Sequence, residues 1–276
     1  MQKKNILLFF VLITSVSFSQ WQHELFPSEL NIRPFTANFL EPKAGFLITI
    51  NESRLRLDIS TSRDIINWHD DDETISIGAD VFTFTRLRST DNFKFPVETI
   101  DYLFGFNGGY KKKVCNDNEY GIRFRLSHIS AHLVDGQYDA QSQRWLDGRD
   151  PFVYSKEFIE LFPYYRINTF RGYIGLTYIF HVIPDEIKKG IFQIGFDYFA
   201  SRFGNDIFTP FVAYDFKLAG NEKYIGNNVV SAGIKFGKWN QKGLSLYYTY
   251  ISGKSIHGEY YDVNENYSSI GFNFDL

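Results

Sequence analysis

The sequence predicts an all-β fold: a transmembrane, up-and-down antiparallel β-barrel of about twelve strands, with ten strands as the alternative. Three observations lead to this prediction. The 276 residues are 18% aromatic, apolar and polar residues alternate over long stretches, and no apolar run is long enough to cross a membrane as a helix. A closed barrel is the other arrangement that satisfies every backbone hydrogen bond in lipid.

The composition excludes several other classes of protein. A formal net charge of -3 without a basic run argues against nucleic-acid binding. The single cysteine, Cys115, excludes an intrachain disulfide and a zinc site built from several cysteines. Low charge and many aromatic residues exclude a wholly disordered chain. We expect neither a cofactor nor a metal site.

Residues 1–19 have the features of a secretory signal peptide. Lys3 and Lys4 precede an apolar run over 6–13, and small residues at Ser17 and Ser19 offer a cleavage site. The run is too short to be a membrane anchor. We therefore expect the mature chain to lie outside the cytoplasm.

The alternation is clearest in the second half of the chain. Over 191–203 the even positions are mostly apolar and the odd positions polar or small, and over 170–182 the polar set holds Arg171, Thr177 and His181. A period of two with one apolar face indicates strands. Their length matches membrane strands better than those of a soluble sandwich, whose core could not bury the charged face.

The polar face is expected to look into the lumen. For a barrel of about twelve strands, an ion-pair lattice with little free passage is expected there. The charged residues assigned to it are Arg123, Arg125, Arg171, Asp197, Asp215 and Lys217.

The barrel domain is predicted over 44–276. The preceding stretch, 20–43, contains Pro27, Pro34 and Pro42 and is expected to be a periplasmic lead-in rather than a strand. The predicted strands cover 44–51, 54–60, 75–87, 97–111, 119–133, 151–166, 169–183, 190–203, 208–219, 226–239, 243–253 and 266–276.

This pattern predicts a location in the outer membrane of a Gram-negative bacterium. The last strand should end at the periplasmic rim, which places the short turns inside and the long loops outside. The expected partners are the lipids of that membrane, phospholipid and lipopolysaccharide, and the oligomeric state is left open.

One group of polar residues interrupts the lipid-facing side of strand 119–133. His128, Ser130 and His132 continue the register of Tyr120, Ile122, Phe124 and Leu126 near the outer rim. Alternate residues of a strand lie about 7 Å apart, so an imidazole can lean towards the Ser130 hydroxyl. A histidine acting as base on a serine is the minimal unit of nucleophilic catalysis.

The His128-x-Ser130 pair resembles the catalytic pair of outer-membrane phospholipase A and of the lipid A deacylases, which also face lipid. The resemblance implies a serine hydrolase with Ser130 as nucleophile and His128 as base. An Asn usually follows the Ser in those families, whereas this chain has Ala131. The residue that orients the histidine is left unassigned, with Glu98 considered as a partner of His132.

A longer set of residues is similar to an uncharacterised family of bacterial outer-membrane barrels. It comprises Phe26-Pro27, Asn38-x-x-Glu41-Pro42 and Arg125-x-x-His128-x-Ser130-x-His132-Leu133-x-Asp135. This resemblance implies a signal peptide and a barrel, and no reaction.

Several functions stay open at this point. The barrel can have a structural, interaction or transport role, or act as the lipid hydrolase described above. His128, Ser130 and His132 can also form a polar patch at headgroup level, or a site for a metal or a lipid headgroup. The acidic run 70–73 can bind calcium or form a solvated turn.

Overall fold

The computed structural model describes residues 21–115, 117–201, 203 and 207–275, so the predicted signal peptide at 1–19 lies outside the described residues. The strands are β1 Gln22–Leu25, β2 Ala44–Thr49, β3 Arg54–His69, β4 Glu73–Arg88, β5 Val97–Lys113, β6 Glu119–Leu133, β7 Tyr138–Asp139, β8 Arg144–Trp145, β9 Tyr154–Ile167, β10 Phe170–Ile183, β11 Gly190–Phe199, β12 Phe208–Gly220, β13 Tyr224–Phe236, β14 Gly243–Lys254 and β15 Asn264–Asp275. Short 3-10 helices occupy Asp91–Phe93, Asp135–Gln137, Leu146–Gly148 and Gly258–Tyr260. No helix in the described ranges is both long and apolar enough to cross a membrane.

Twelve of these strands form a closed antiparallel barrel. β2 to β6 and β9 to β15 pair in chain order, and β15 closes the ring on β2, with Ser269 opposite Thr49. The predicted fold class and the count of twelve strands are therefore confirmed. β7 and β8 form a small hairpin outside the ring, and β1 extends the sheet along β3.

Most strand bounds agree with the prediction to within a few residues, and β3 is the main exception. It was predicted over 54–60 and continues to His69. Its outward positions Thr61 and Arg63 are polar, and a bulge between Asp64 and Ile66 resets the alternation. Neither feature gives the apolar period of two from which strands are predicted.

The barrel has two ends, which we name by their connections. The turn end carries the connections β3–β4, β5–β6, β9–β10, β11–β12 and β13–β14 and the end of β15. The loop end carries the others, including the connection of twenty residues from 134 to 153 between β6 and β9. The loop end is the one predicted to face outwards.

The outer wall is apolar. Alternate residues of the barrel strands leave large apolar side chains exposed, among them Phe106, Tyr178, Ile194 and Ile270, while the residues between them point into the barrel. The predicted sorting of side chains is confirmed, since rings on the outside match a surface in contact with lipid.

The stretch 20–43 was expected to precede the barrel, and the part of it that follows β1 lies largely inside. Phe35, Asn38 and Glu41 are buried in the lumen, and the backbone amide of Thr36 donates to Asp197 of β11 at 2.8 Å. The prolines keep the part of this segment that follows β1 out of the sheet. They leave its backbone groups free to bond with polar side chains that point inwards.

Buried ion pairs attach this inner segment to the wall. Arg123 donates to both carboxylate oxygens of Glu41 at 2.6 Å, and Arg125 contacts Asp80 at 2.8 Å and Glu160 at 3.0 Å. Arg171 of β10 pairs with Asp197 of β11. The predicted lattice is present, and it includes a carboxylate supplied from outside the strands.

Apolar packing fills much of the remaining lumen, which was expected to be polar. Phe35 stacks on Phe162 with ring centroids 5.3 Å apart and contacts Tyr173 at 4.2 Å. Inward rings of β4 and β9, including Phe82 and Phe158, form a second cluster with Leu40. A cavity of about 880 Å³ remains at the turn end, lined by residues such as Arg33, Lys43 and Trp239.

Two connections cover the loop end. Gln137 of the 134–153 connection donates to the Tyr260 hydroxyl at 3.0 Å, and Arg149 donates to the backbone oxygen of Glu259 at 2.9 Å. Behind them, His257 bonds through Nδ1 to the buried Asp101 of β5 at 2.7 Å. These two connections, 134–153 and 255–263, form a cap over the loop end of the barrel. The inner segment obstructs the lumen below this cap.

We expect Glu41→Gln to destabilise the barrel strongly, because it leaves Arg123 buried without its carboxylate partner. Breaking a buried ion pair from one side costs about 3–5 kcal/mol of the free energy of unfolding. The matched control is Glu52→Gln, whose partner Arg54 lies 3.4 Å away with both side chains exposed, and which should cost about 0–1 kcal/mol. Urea unfolding in lipid vesicles, followed by gel migration of unheated samples, measures both. Equal losses would contradict the structural role of Glu41.

We expect the contribution of Glu259 to stability to fall with rising pH. Burial raises the pKa of this carboxyl from 4.5 to about 7, and the charge of Asp101 adds to the rise. The stabilisation is present below the unfolded-state pKa and is lost as the pH rises through 7. The free energy of unfolding of the wild type, minus that of Glu259→Gln, should therefore be larger at about pH 5 than at about pH 8. A difference that does not vary with pH would contradict this.

Candidate functional site

The predicted site residues lie on the outer face of β6, close to the loop end. His128 and Ser130 are half-buried and His132 is exposed, while Ile129 and Ala131 between them point inwards and are buried. The prediction that this triplet faces outwards thus agrees with the structure. What the triplet can do depends on the strands on either side of it.

Glu157 of β9 lies directly opposite His128. β6 pairs with β9 because the 134–153 connection, with its small hairpin, lies outside the ring. The Nδ1 atom of His128 lies 2.7 Å from Oε1 of Glu157. Glu157 occupies the same outward register as Leu161 and Tyr165, so its carboxylate stands on the outer wall of the barrel.

A second histidine reaches the same carboxylate from the other side. The Nδ1 atom of His181, on β10, lies 2.5 Å from Oε2 of Glu157. The alternation predicted that His181 points into the lumen, and that prediction is wrong. A bulge between Ile179 and His181 shifts the register, so Phe180 and His181 both face outwards and Val182 turns inwards.

The structure does not join all the residues that the sequence proposed. Among the described residues, the Ser130 hydroxyl makes no hydrogen bond with His128 or His132. The His132 ring lies 6.0 Å from the Tyr102 ring, centroid to centroid. Glu98, considered as its partner, points inwards and pairs with Arg86 at 2.8 Å, because a register shift between β4 and β5 at Arg86 and Leu87 turns Glu98 towards the lumen.

The contact with Glu157 determines what His128 can do chemically. A carboxylate at Nδ1 holds the proton on that nitrogen and leaves Nε2 free as a base. The Phe104 ring, 4.9 Å from the His128 ring, covers one of its sides. Ser130 follows on the same face, so His128 and Ser130 share one strand while the Glu157 carboxylate comes from the neighbouring strand.

Sequence reasoning missed Glu157 and His181 for different reasons. Glu157 carried a readable signal, since it is a charged residue at an outward position of a strand predicted over 151–166. Its pairing with His128 required the register between β6 and β9, across a connection of twenty residues. His181 carried no such signal, because nothing in the alternation of β10 indicates the bulge.

The acidic run 70–73 forms the turn between β3 and β4. The Asp70 carboxylate accepts hydrogen bonds from the backbone amides of Asp72 at 2.9 Å and Glu73 at 2.7 Å. Asp70 therefore stabilises the turn through its side chain, as Asp commonly does. Across the part of the chain that the structure describes, no group of three or more His, Cys, Asp or Glu side chains has the geometry of a metal site.

Comparisons with known proteins concern the fold and the family. A search of curated proteins gives no match. The chain is similar to the β domain of the Bordetella autotransporter BrkA, with 10% identity, a TM-score of 0.43, and coverage of 84% of this chain and 97% of that one. It is also similar to OmpT, an outer membrane protein of Vibrio cholerae, with 9% identity, a TM-score of 0.36, and coverage of 86% and 99%.

The family model describes a protein of unknown function, DUF1207, and matches residues 101–276. The matched region spans more than half of the chain and includes His128, Ser130, Glu157 and His181. The chain therefore belongs to the DUF1207 family.

Proposed function

We propose that this protein is an outer-membrane serine hydrolase that cleaves acyl esters of phospholipid or lipid A. Ser130 is the nucleophile, His128 the general base and Glu157 the residue that orients His128. The observation that carries the proposal is the 2.7 Å contact between Glu157 and Nδ1 of His128, on the outer wall and two residues from Ser130. It supports Glu157 in the orienting role that the sequence left unassigned.

The reaction follows from the roles of these three groups. Nε2 of His128 takes the proton of the Ser130 hydroxyl as its oxygen attacks the ester carbonyl carbon, and Glu157 stabilises the imidazolium that forms. The ester C–O bond then breaks, and the departing alkoxide takes the proton from His128. Water, activated by the same imidazole, hydrolyses the acyl-enzyme and releases a fatty acid. No redox step or cofactor is required.

The surroundings of the triad support a lipid substrate. Large apolar side chains are exposed on the outer wall near the triad, including Phe104 on β5 and Leu161 on β9. Such a surface supports a position of Ser130 against acyl chains, close to the ester bonds of the outer leaflet. This placement goes with the proposed location in the outer membrane of a Gram-negative bacterium, with the loop end facing outwards.

The packing of the lumen supports a reaction on the outer wall rather than a function inside the barrel. The inner segment, the ion-pair lattice and the cap occupy the interior, with Phe35 fully buried and Arg125 1% exposed. These features are typical of a packed core and would obstruct a solute path. Transport through the lumen therefore has less structural support than chemistry outside it.

The test is ester hydrolysis by purified, folded protein in mixed micelles that contain labelled phospholipid or labelled lipid A. We expect the wild type to release fatty acid. Ser130→Ala, His128→Ala and Glu157→Gln should each lower the rate by about 10²–10⁴-fold, because each removes a member of one catalytic unit. The two lipids tell which ester is preferred.

A matched control is Ser268→Ala, which removes an outward serine of β15 that bonds to Tyr248. This variant should keep the wild-type rate. Equal release of fatty acid by wild type and Ser130→Ala would eliminate the enzyme and leave a barrel with a structural or interaction role.

A further inference from the structure

The β-bulge in β10 brings a second histidine to the candidate site. Without the register shift between Ile179 and His181, the side chain at 181 would point into the lumen. Bulges next to active sites commonly re-aim a side chain. Here the bulge makes a row across three adjacent strands, His128 of β6, Glu157 of β9 and His181 of β10, with both carboxylate oxygens engaged.

The net charge of the row formed by His128, Glu157 and His181 is important because the row lies on the outer wall of the barrel. A carboxylate on a lipid-facing wall is costly unless it is paired. With two neutral imidazoles the row carries one negative charge, whereas with one imidazolium it is neutral. The neutral row is favoured, so one of the two histidines should hold an extra proton.

The structure indicates which histidine this is. The His181 side chain is 58% exposed, against 27% for His128, which lies beside the Phe104 ring. An imidazolium is better solvated at the more exposed position, where headgroups and water can reach it. His128 would then stay neutral, as a general base must.

We infer that His181 is a positioning residue of the proposed hydrolase: it holds Oε2 of Glu157 and carries the positive charge that balances it, which keeps His128 neutral. The inference rests on the proposed function for its effect on rate. The charge distribution within the row can be measured without any turnover.

Few other titratable groups face this row. Glu157 is approached by His128 from β6 and His181 from β10, and His132 lies further along β6 beside Tyr102 of β5. The neighbouring β10–β11 connection carries Asp185, Glu186, Lys188 and Lys189, of which Glu186 accepts a hydrogen bond from Tyr261 of the cap. The pH dependence of the row is therefore expected to follow its own three members.

The first test is the pH profile of kcat/KM for three variants of His181. His181→Phe removes both the N–H donor and the charge, so His128 should take the proton and kcat/KM on the acidic limb should fall about tenfold. His181→Asn keeps an N–H donor without the charge and should shift the limb similarly while losing less of the rate at high pH. His181→Lys restores the charge and should return the limb towards the wild type.

Tyr178→Phe is the control, because Tyr178 is an outward residue of the same strand before the bulge. It should leave the profile unchanged. Heat-modifiable gel migration shows which variants are folded barrels. If the wild type hydrolyses lipid through Ser130 but the profile of folded His181→Phe is unchanged, the inference on His181 is wrong and the proposed function stands.

The second test is ¹⁵N NMR of the imidazoles in detergent micelles, which needs no activity. Near pH 6.5 we expect His181 doubly protonated and His128 neutral with its proton on Nδ1. In His181→Phe at the same pH, His128 should become doubly protonated. A neutral His181 in the wild type would overturn the inference even if lipid is hydrolysed, whereas the expected pattern without hydrolysis would refute the proposed function alone.

Discussion

The strict alternation of side chains in a closed antiparallel sheet is the constraint on which this structure depends. Each of the twelve barrel strands is paired on both sides, so each of their side chains points either into the lumen or to the outer wall. Charged residues sent inwards find partners, as Arg125 does with Asp80 and Glu160. Charged residues sent outwards face lipid, which makes an outward carboxylate such as Glu157 an exception that calls for a function.

The N-terminal segment decides which surface is left for that function. Glu41 of this segment pairs with Arg123, and Phe35 packs among the inward aromatic rings. These contacts fill the lumen as a packed core and obstruct a path for solutes. The loop-end cap adds to this with Gln137 and Tyr260. The cavity that remains opens at the turn end, away from Ser130. The chemistry that we propose therefore belongs to the wall rather than to the interior.

The features that follow from the alternation of side chains could be predicted from the sequence, and the features that do not follow from it were missed. Twelve strands, the outward course of His128 and Ser130, and an inward lattice that includes Arg125 all follow from a period of two. Three features lie beyond it. The inner segment is held by contacts with many strands, the pairing of Glu157 with His128 depends on a register across a long connection, and the bulge before His181 is a local break in the period itself.

The first two of these misses have the same physical origin. Long-range pairing is a property of the closed ring and leaves no local pattern, so Glu98 was as reasonable a partner as Glu157 from the sequence alone. In the folded barrel, Glu98 pairs with Arg86 on the inside, while Glu157 contacts two imidazoles on the outside.

The most direct test of the central claim is covalent labelling by a lipid-like fluorophosphonate, followed by mapping of the modified residue by mass spectrometry. A serine activated by an oriented histidine reacts with such a reagent, and an ordinary surface serine does not. The account predicts that the label lies on Ser130 of the folded protein and that Glu157→Gln removes most of it. Labelling of another residue, or labelling of Ser130 that is unaffected by Glu157→Gln, would contradict it.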